Sequence, residues 1–421
     1  MNKIMIERSE CRKLREMVGW ILVYGRRKVG KTWLIRRCID WDGYMLVTRG
    51  GGCILEVDGS TQFVEIEDGL KKVLDIVVTG GVAIIDEFQR LPMKYWDLIG
   101  HVSQKASGRL VLCGSSHGIV KKVFDERSPL LGLVTGFKLD IASVADTINS
   151  LLNIMPPRDA ILWSLVARDP WIVRHLEFSK PPWIELLEKA EYLIPTVEGL
   201  IGEIFLDEDR RLTRLYTSVL RQLALGEWSL SKIAGKLYSA GIIPSGSPSY
   251  LTGILDNMEK MGLVRKIPLW RTRGARYYYM HKSPVTSLLM YIDESTGGLQ
   301  YRLDEESIRM RYSIELQFMI GELLSEYTGY RQAYTILPEG ERDIDVLLLD
   351  RGGKPWIAYE VKTGDIDVKE IVSWIDMVSK YGVRRYGAVT LSKDVDIEGL
   401  DEVLNVENLV SIAKEISSRE R

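Results

Sequence analysis

The fold of this protein is decided near the N-terminus by the stretch WILVYGRRKVGKT, which occupies residues 20–32. Its first five residues form an uninterrupted apolar run of strand length, and a pattern of the form GxxxxGK[ST] follows at once. A stretch with helical character comes directly after the pattern. A strand, a glycine loop and a helix in this order predict an α/β sheet whose loop wraps a chain of phosphates.

Each residue type in this loop has a chemical reason. Small residues let backbone N–H groups approach phosphate oxygens, and the following helix directs the positive end of its dipole at them. Lys31 is expected to reach the β- and γ-phosphates, and Thr32 is expected to ligate magnesium. We therefore predict that ATP and Mg²⁺ are the cofactors. The residues predicted to hold ATP are Gly25, Arg26, Arg27, Lys28, Val29, Gly30, Lys31 and Thr32.

Two further apolar runs end in polar residues. Residues 82–87, VAIIDE, are typical of a buried strand that ends in two acids, and residues 109–114, RLVLCG, of a strand that precedes Ser115. The carboxyl ends of parallel strands meet at one edge of a sheet, so these residues should lie beside the loop. Asp86 is expected to hold magnesium, Glu87 to orient or deprotonate the attacking water, and Ser115 to sense the γ-phosphate. A plain serine turn is the alternative for Ser115.

These motifs resemble the archaeal ATPase family within the signal-transducing ATPases with numerous domains (STAND), which are P-loop proteins related to AAA+ ATPases. The resemblance covers the first half of the chain, roughly, and includes IIDEFQ at 84–89 and GSS at 114–116. It implies binding and hydrolysis of ATP with magnesium. The family has an arginine after a Leu-Tyr-Gly element, where this chain has Leu133, which predicts slow hydrolysis unless Arg127 substitutes. The family's Gly-Gly-x-Pro element appears here only as ARDP at 167–170.

The length of 421 residues and the breaks in the sequence pattern predict four domains. Residues 1–141 are expected to form a P-loop ATPase domain, and 142–206, with helical periodicity between proline breaks, a helical lid. Residues 207–283 have the pattern of three helices followed by a two-stranded hairpin, which is the order of a winged helix. Residues 300–421 are expected to form a C-terminal domain resembling restriction endonucleases. The predicted fold class is thus a multidomain α/β protein with a parallel sheet in its P-loop core.

The hairpin of the predicted winged helix is basic. Arg265, Lys266, Arg271 and Arg273 lie on or between its two strands, beside aromatic residues. Such an arrangement suits phosphate contacts combined with stacking, so DNA is an expected partner. The predicted recognition helix, however, carries two acids and a single lysine. Contact with a protein is therefore an equal alternative.

Acids and a lysine in the C-terminal region have positions that suit phosphodiester chemistry. Glu315 lies beside the apolar stripe of a predicted helix, and a predicted strand hairpin follows it. Alternate strand side chains share a face, so Asp345 and Glu360 can converge on one metal ion while Lys362 orients the attacking water. The pattern is similar to that of the PD-(D/E)xK nuclease superfamily over roughly residues 305–420. That resemblance implies magnesium ligands at Glu315, Asp345 and Glu360 and a catalytic Lys362. The alternative is a C-terminal domain that keeps its acids without cleaving.

The composition favours an intracellular protein. The net charge of −2 gives no overall attraction to nucleic acid or to a membrane, and no apolar run is long enough to span a bilayer. Cys11, Cys38, Cys53 and Cys113 lack metal-ligand spacing, which predicts free, buried thiols and a reducing cytoplasm. An oligomer is compatible with the sequence.

These features predict a nucleotide-dependent switch that binds ATP, hydrolyses it slowly and acts on nucleic acid, with metal-dependent DNA cleavage by the C-terminal domain. One alternative is a regulatory ATPase that controls a protein complex and uses an inactive C-terminal domain for docking. Another is a DNA-binding regulator that binds ATP without turnover.

Overall fold

The computed structural model describes residues 4–115, 117–205, 210–272, 276–335, 343–364, 367–392 and 397–419. In these ranges the chain forms two seven-stranded sheets, with helices packed against both. The first sheet is built from the N-terminal part of the chain, and the second from the predicted wing and the C-terminal region. The parallel strands in both sheets make the protein a mixed α/β fold.

The strands of the first sheet are β1 (Trp20–Tyr24), β2 (Gly43–Val47), β3 (Gly52–Val57), β4 (Ser60–Glu65), β5 (Val82–Asp86), β6 (Arg109–Gly114) and β7 (Val134–Lys138). Their order in the sheet is β4-β3-β2-β5-β6-β1-β7. The five strands from β2 to β7 in that order run parallel, and β3 and β4 extend the sheet as antiparallel strands. The associated helices are α1 (Glu10–Glu16), α2 (Lys31–Cys38), α3 (Ile66–Val78), α4 (Lys94–Val102) and α5 (His117–Val123).

The central strands of this sheet are buried on both faces. Successive residues of β1, such as Ile21 and Leu22, belong to different apolar clusters on the two faces of the sheet. Uninterrupted apolar runs are therefore required, because a strand covered by helices on both faces has no solvent-facing positions. Since β1, β5 and β6 are parallel neighbours, their carboxyl ends come to the same edge, where the predicted phosphate-binding loop begins.

The middle of the chain is helical. Proline occupies the first turn of α7, α8 and α9, where its missing N–H costs no hydrogen bond. None of the helices in the described ranges has the length and apolar character needed to cross a membrane. The helices of this region are α6 (Val144–Leu151), α7 (Pro157–Ala167), α8 (Pro170–Val173), α9 (Pro182–Glu188), α10 (Ala190–Phe205), α11 (Arg210–Ala224), α12 (Leu230–Ser239) and α13 (Pro248–Lys260).

The hairpin that follows α13 is formed by β8 (Val264–Trp270) and β9 (Tyr277–His281). The remaining elements are α14 (Pro284–Ser295), α15 (Glu305–Thr328), β10 (Arg331–Thr335), β11 (Val346–Leu349), β12 (Pro355–Lys362), α16 (Val368–Ser379), β13 (Tyr386–Thr390), β14 (Glu402–Leu404) and α17 (Val406–Arg419). The second sheet has the order β14-β13-β12-β11-β10-β8-β9.

The predicted wing is joined to the C-terminal region, a connection that was not part of the sequence prediction. β10 pairs with β8 in parallel, with Tyr334 opposite Leu269 and Thr335 opposite Trp270. Tyr278 of β9 packs against Phe318 of α15, with ring centroids 4.9 Å apart. One face of the hairpin is therefore buried by the C-terminal region and is not available to a partner.

The prediction that all four cysteines are free thiols is wrong for one pair. Cys11 of α1 and Cys38 at the end of α2 form a disulfide, whereas Cys53 and Cys113 are free and buried. The two bonded cysteines are separated by 27 positions and show no motif spacing. Their pairing depends on α1 packing against α2, which cysteine spacing alone does not reveal.

Candidate nucleotide site and acidic site

Two glycines of the loop are required by the backbone. A Cβ atom added to Gly25 would lie 2.0 Å from the carbonyl oxygen of Leu139 in the next segment. Gly30, which precedes the first residue of α2, has a φ of 94°, in the left-handed region that favours glycine. The structure thus places the predicted loop between β1 and α2 and closes it against the segment after β7.

The lysine of the loop is held by the loop itself. Lys31 is buried, and its Nζ atom donates hydrogen bonds of 2.9 Å to the carbonyl oxygens of both Gly25 and Arg26. Burial lowers the pKa of Lys31. These bonds position the ammonium group in the bend of the loop, where a phosphate oxygen can take over one of them.

The two predicted magnesium ligands are in contact with each other. Thr32 Oγ1 donates a 2.7 Å hydrogen bond to Asp86 Oδ2, which also accepts a 2.8 Å bond from the hydroxyl of Tyr44. Asp86 Oδ1 accepts a bond from the backbone N–H of Glu87. Hydroxyl and carboxylate oxygens are the ligand types that Mg²⁺ prefers, so this pair fits the predicted ion. Burial, followed by the charge of Asp86, raises the pKa of Tyr44, which keeps its hydroxyl a donor.

Glu87 and Ser115, from neighbouring strand ends, are connected by Gln89. The Nε2 atom of Gln89 donates to Glu87 Oε2 at 2.7 Å and to Ser115 Oγ at 3.0 Å. Glu87 also forms an ion pair with Arg90 at 2.8 Å and a longer one with Arg27 at 3.7 Å. In this arrangement the carboxylate is held by two guanidinium groups, and it must leave at least one of them to accept a proton from water.

Arginines other than the expected one lie at Glu87, the predicted catalytic residue. Leu133 stands where the resembled family has its arginine, and the suggested substitute Arg127 is exposed. Arg27 and Arg90 are the guanidinium groups that pair with Glu87. Positive charge is therefore present at this edge, although it comes from the loop and from the turn after β5.

Arg26 points away from the loop, into the helical region. Its guanidinium forms a 2.6 Å ion pair with Asp169, whose side chain is 0% exposed. Ser283, at the start of α14, donates a second 2.6 Å hydrogen bond to the same oxygen of Asp169. Asp169 belongs to the ARDP element that the resemblance singled out. A buried pair of this kind fixes the loop to the predicted lid and to the end of the predicted winged helix.

Arg168, which precedes Asp169 in the chain, points toward the C-terminal region and not toward the loop. It forms a bidentate pair with Glu322 of α15, with a shorter contact of 2.5 Å, and Glu322 also pairs with Arg265 of β8 at 2.6 Å. Although burial opposes the shift, Arg168 and then Arg265 hold the pKa of Glu322 below its ordinary value. Two adjacent residues of the predicted lid, Arg168 and Asp169, therefore connect the loop at 25–32 to the C-terminal region.

A further contact joins the loop to α10. Arg27 and Arg49 both pair with Glu203, the latter at 2.9 Å. Arg27 gives the larger share of the interactions that lower the pKa of Glu203. Because Arg27 pairs with both Glu203 and Glu87, it links the helical region to the predicted catalytic acid.

Several polar residues of the site were not predicted, and Arg90, which pairs with Glu87, is one of them. Tyr44 and Gln89 hold Asp86, Glu87 and Ser115 as described, and Arg8 donates hydrogen bonds to the carbonyl oxygens of Val29 and Asp140. Gln89 lies within the IIDEFQ motif, so that motif was its available signal. Tyr44 and Arg8 lie in stretches that carry no motif.

In the C-terminal region, the strand residues predicted for a metal site do come together. Asp345 Oδ2 accepts a 2.8 Å hydrogen bond from the backbone N–H of Val361, and Lys362 Nζ lies 3.0 Å from Glu360 and 3.3 Å from Glu370. Burial, followed by the charge of Glu360, raises the pKa of Asp345 to about 8. Glu370, at the start of α16, was not predicted and is the additional acid of this cluster.

Glu315, in contrast, does not take part, and its predicted role as a metal ligand is corrected. It is buried in the packing between α15 and α14, where it accepts 2.7 Å hydrogen bonds from Arg311 and from Ser287. Its charge is therefore neutralised inside the fold. Among the residues that the structure describes, no three His, Cys, Asp or Glu side chains are grouped so as to hold a metal ion.

Two of the four residues predicted to contact nucleic acid are engaged within the protein. Arg265 pairs with Glu322, and Lys266 pairs with Glu259 at 2.7 Å. Arg271 is exposed and packs over aromatic rings. Arg273 lies outside the described residues. The β8 surface is thus less available to phosphates than its basic sequence suggests.

Comparisons with known proteins give distant similarities. No model of a known protein family matches the chain. An uncharacterized protein of Methanocaldococcus jannaschii is 21% identical over 400 residues, which cover 84% of this chain and 85% of that protein.

Two solved structures resemble the chain weakly. The ORC2 protein of Aeropyrum pernix, in ADPNP and ADP complexes, has a TM-score of 0.38 and 12% identity over 76% of this chain and 96% of that one. A STAND protein with a tetratricopeptide repeat sensor from Pyrococcus horikoshii has a TM-score of 0.28 and 16% identity, over 77% of this chain and 50% of that one. Because both scores lie below 0.5, we infer the chemistry of the site from its own geometry.

Proposed function

We propose that this protein is a magnesium-dependent ATPase that works as a slow, nucleotide-controlled switch on nucleic acid. The observation that carries the proposal is the hydrogen bond between Thr32 and Asp86 beside a loop in which Lys31 is held by its own backbone. One strand end, that of β5, and the start of α2 thereby present a carboxylate, a hydroxyl and an ammonium group at one point. This is the set of groups that phosphoryl transfer from a nucleoside triphosphate requires.

The protein's own residues divide the work of hydrolysis. The loop backbone and Lys31 would bind phosphate oxygens, and Thr32 and Asp86 would hold a magnesium ion, whose chemistry when bound would be to offset charge on the phosphates. Glu87 orients or deprotonates the attacking water once it leaves an arginine partner. Arg27 and Arg90 are placed to offset developing negative charge. Since Glu87 starts in ion pairs, we expect turnover below about 1 s⁻¹, the lower end of typical enzyme rates.

The switch rests on the contacts that leave the loop. Arg26 reaches Asp169, and the adjacent Arg168 reaches Glu322. A displacement of the loop on nucleotide binding therefore acts on the buried Arg26–Asp169 ion pair. Arg168, the residue next to Asp169, pairs with Glu322 of the C-terminal region. The Arg26–Asp169 end of this path is a desolvated charge pair and the Arg168–Glu322 end is a partly exposed one, and bonded pairs of this kind have discrete arrangements and do not deform continuously.

Phosphate release tests the ATPase proposal. Wild-type protein should hydrolyse ATP with Mg²⁺ and lose that activity in EDTA. Thr32→Ala should lower the rate on the order of 100-fold, because a charge-stabilising contact is lost. Thr61→Ala, an exposed threonine of β4, is the matched control and should behave as wild type. Hydrolysis that persists in EDTA, or equal rates in the two variants, would contradict the proposal.

Metal-dependent cleavage of nucleic acid by the C-terminal region is the second candidate. It is supported by the proximity of Glu360, Lys362 and Glu370 and by the position of Asp345 beside Val361. An acid pair with a lysine can hold a metal ion and orient water. Among the described residues, however, no three acidic, histidine or cysteine side chains are grouped so as to hold a metal ion, which favours instead a regulatory ATPase whose C-terminal region binds without cleaving.

A cleavage assay separates these two candidates. Plasmid, linear and single-stranded DNA would be incubated with Mg²⁺ or Mn²⁺, with and without ATP. Loss of cleavage in both Lys362→Ala and Glu360→Ala, with cleavage retained in the exposed control Lys369→Ala, would establish the nuclease. No cleavage by folded wild-type protein would favour the regulatory ATPase, and cleavage that all variants retain would indicate a contaminant.

A further inference from the structure

Arginine side chains cover aromatic rings at two neighbouring places in the C-terminal region. The guanidinium of Arg271 lies 5.5 Å from the ring centroid of Trp270 and 5.2 Å from that of Tyr381. Arg271 also donates a 3.2 Å hydrogen bond to the carbonyl oxygen of Tyr381. These contacts connect the end of β8 to the loop between α16 and β13.

The second place is a stack of three planar groups. Arg385 lies over Trp356 at 4.6 Å from the ring centroid, and the ring of Trp356 stacks on Tyr330 at 4.7 Å with an interplanar angle of 28°. Trp356 is 38% exposed. The stack therefore presents planar groups to solvent and does not bury them in the core.

The two places belong to one surface, which we call the arginine–aromatic strip and define as Trp270, Arg271, Tyr330, Trp356, Tyr381 and Arg385. The short loop from α16 to β13 carries both Tyr381 and Arg385. The carbonyl oxygen of Arg385 accepts a bond from Ala358 of β12, which places Arg385 beside the start of that strand. The loop thus spans the strip from one end to the other.

Unpaired cations surround this strip. Arg331, Lys354, Lys380 and Arg384 are exposed, and none of them forms a salt bridge with a described carboxylate. Strand register places Arg331 opposite Leu349, which in turn pairs with Pro355 beside Trp356. Two carboxylates of this region, those of Asp350 and Asp401, accept bonds from backbone N–H groups. In a chain whose net charge is only −2, this is a local excess of positive charge.

We infer that the arginine–aromatic strip binds single-stranded nucleic acid, an inference that rests on the proposed action on nucleic acid and that keeps Arg271 but not Arg265 or Lys266 in the binding site. Unpaired bases expose both faces and stack on aromatic rings, whereas the bases of a duplex are already stacked. A base that replaces Arg385 on Trp356 frees the guanidinium for a phosphate. The surrounding cations follow the backbone without reading sequence.

The test measures binding of labelled single strands to the full-length protein in EDTA, without nucleotide. Fluorescence anisotropy would compare an oligothymidylate of about 16 nucleotides with a duplex of equal length. Wild type should prefer the single strand. Trp356→Ala should weaken single-strand binding about tenfold, which corresponds to the loss of one stacked base, and Trp356→Phe should restore most of it. Thermal melting would verify that the variants fold.

Charge variants complete the test. Arg385→Ala should weaken binding and reduce the slope of log affinity against log salt by about one phosphate contact. Arg309→Ala, an exposed arginine of α15 outside the strip, is the control and should leave binding unchanged. Equal affinities of the Trp356, Arg385 and Arg309 alanine variants would overturn the inference. So would an equal loss of heparin binding in Trp356→Ala, because heparin has no bases to stack.

The single-strand binding test and the ATPase proposal can fail independently of each other. Because binding is measured without nucleotide, a protein that hydrolyses ATP and ignores single strands refutes the strip alone. A protein that binds single strands through Trp356 and does not hydrolyse ATP refutes the ATPase proposal and leaves the strip intact.

Discussion

The nucleotide site and the acidic cluster of the C-terminal region differ in how their residues are brought together. In the nucleotide site, residues 25–32 are contiguous, and Asp86 and Glu87 are consecutive at the end of one strand. In the acidic cluster, Asp345 directly precedes β11, Glu360 lies within β12, and Glu370 lies on α16. The first site is fixed mainly by local backbone geometry, whereas the second depends on tertiary packing.

This difference explains where the sequence predictions hold. A loop between a strand and a helix has few allowed conformations, so its side chains have nearly fixed relative positions. A helix, in contrast, can present a residue at the border of its apolar stripe to either of two neighbours. Glu315 lies at such a border on α15, and it faces Ser287 of α14 rather than the acidic cluster.

The largest effect that we predict is on stability, and it compares removal of the buried carboxylate of Asp169 with removal of the partly exposed carboxylate of Glu322. Asp169→Ala leaves Arg26 buried without its partner and should lower the free energy of unfolding by about 3 to 5 kcal/mol. Glu322→Ala should cost less, because the side chain of Glu322 is 28% exposed and water can replace it. Denaturant unfolding followed by circular dichroism measures both.

A matched variant keeps this prediction specific to the ion pair. Arg26→Met combined with Asp169→Leu removes both charges and should recover most of the loss. An Asp169→Ala variant that is no less stable than Glu322→Ala would contradict the view that the loop is fixed by a desolvated pair.

Reduction of the disulfide should separate the two regions in stability. All four cysteines lie in the first 113 residues, and the bond between Cys11 and Cys38 closes a loop of 27 positions. Loss of this constraint on the unfolded chain should cost about 3 kcal/mol. We expect dithiothreitol, or Cys11→Ser, to lower the unfolding transition of the N-terminal sheet alone. Hydrogen exchange would assign the transitions, and equal destabilisation of both sheets would contradict a local effect.

Glu87, the proposed general base, offers a smaller but more specific effect. Glu87→Gln should lower the turnover number about 100-fold while ATP binding is retained, since general-base catalysis is lost and the loop is unaltered. Single-turnover phosphate release measures it. Glu67→Gln, an exposed acid of α3, is the control. If hydrolysis in the Glu87 variant matched the control, another group would have to be the base.

The parts of the fold and of the site that could be predicted from the sequence are those with local signals. Three strands of the first sheet, β1, β5 and β6, together with the loop and the strand-end acids were predictable because apolar runs and the loop pattern are local signals. The pairing of Tyr334 in β10 with Leu269 in β8 joins the predicted winged helix to the C-terminal region. It was not predictable, because pairing between distant strands has no local signal. The neutralisation of Arg265 by Glu322 depends on the same tertiary contact.

The smallest predicted effect concerns a histidine at the end of the hairpin. His281 is buried, its Nε2 atom lies 2.8 Å from the carbonyl oxygen of Leu220, and burial lowers its pKa to about 4. The unfolded chain takes up this proton first, near pH 6.5. Stability contributed by the neutral imidazole is therefore present above that pH and is lost as the pH falls toward 4.

Proton NMR of the histidine resonances measures this pKa, with His281→Gln identifying the signal. That variant should also show a flatter decline of unfolding free energy between pH 6.5 and 4. A pKa near 6.5 for His281 would mean that the hairpin end is open to water, and that the junction between the two regions is less tightly packed than the structure indicates.

The central claim is that residues 25–32 form an ATP site, and equilibrium binding tests it most directly. Titration calorimetry with ATP and Mg²⁺ would compare wild type, Lys31→Ala and the exposed control Lys72→Ala. We predict binding by wild type and the control, and an affinity at least about tenfold weaker, or 1.4 kcal/mol, in Lys31→Ala with unchanged melting temperature. Equal affinity in all three proteins, or no binding by wild type, would contradict the claim.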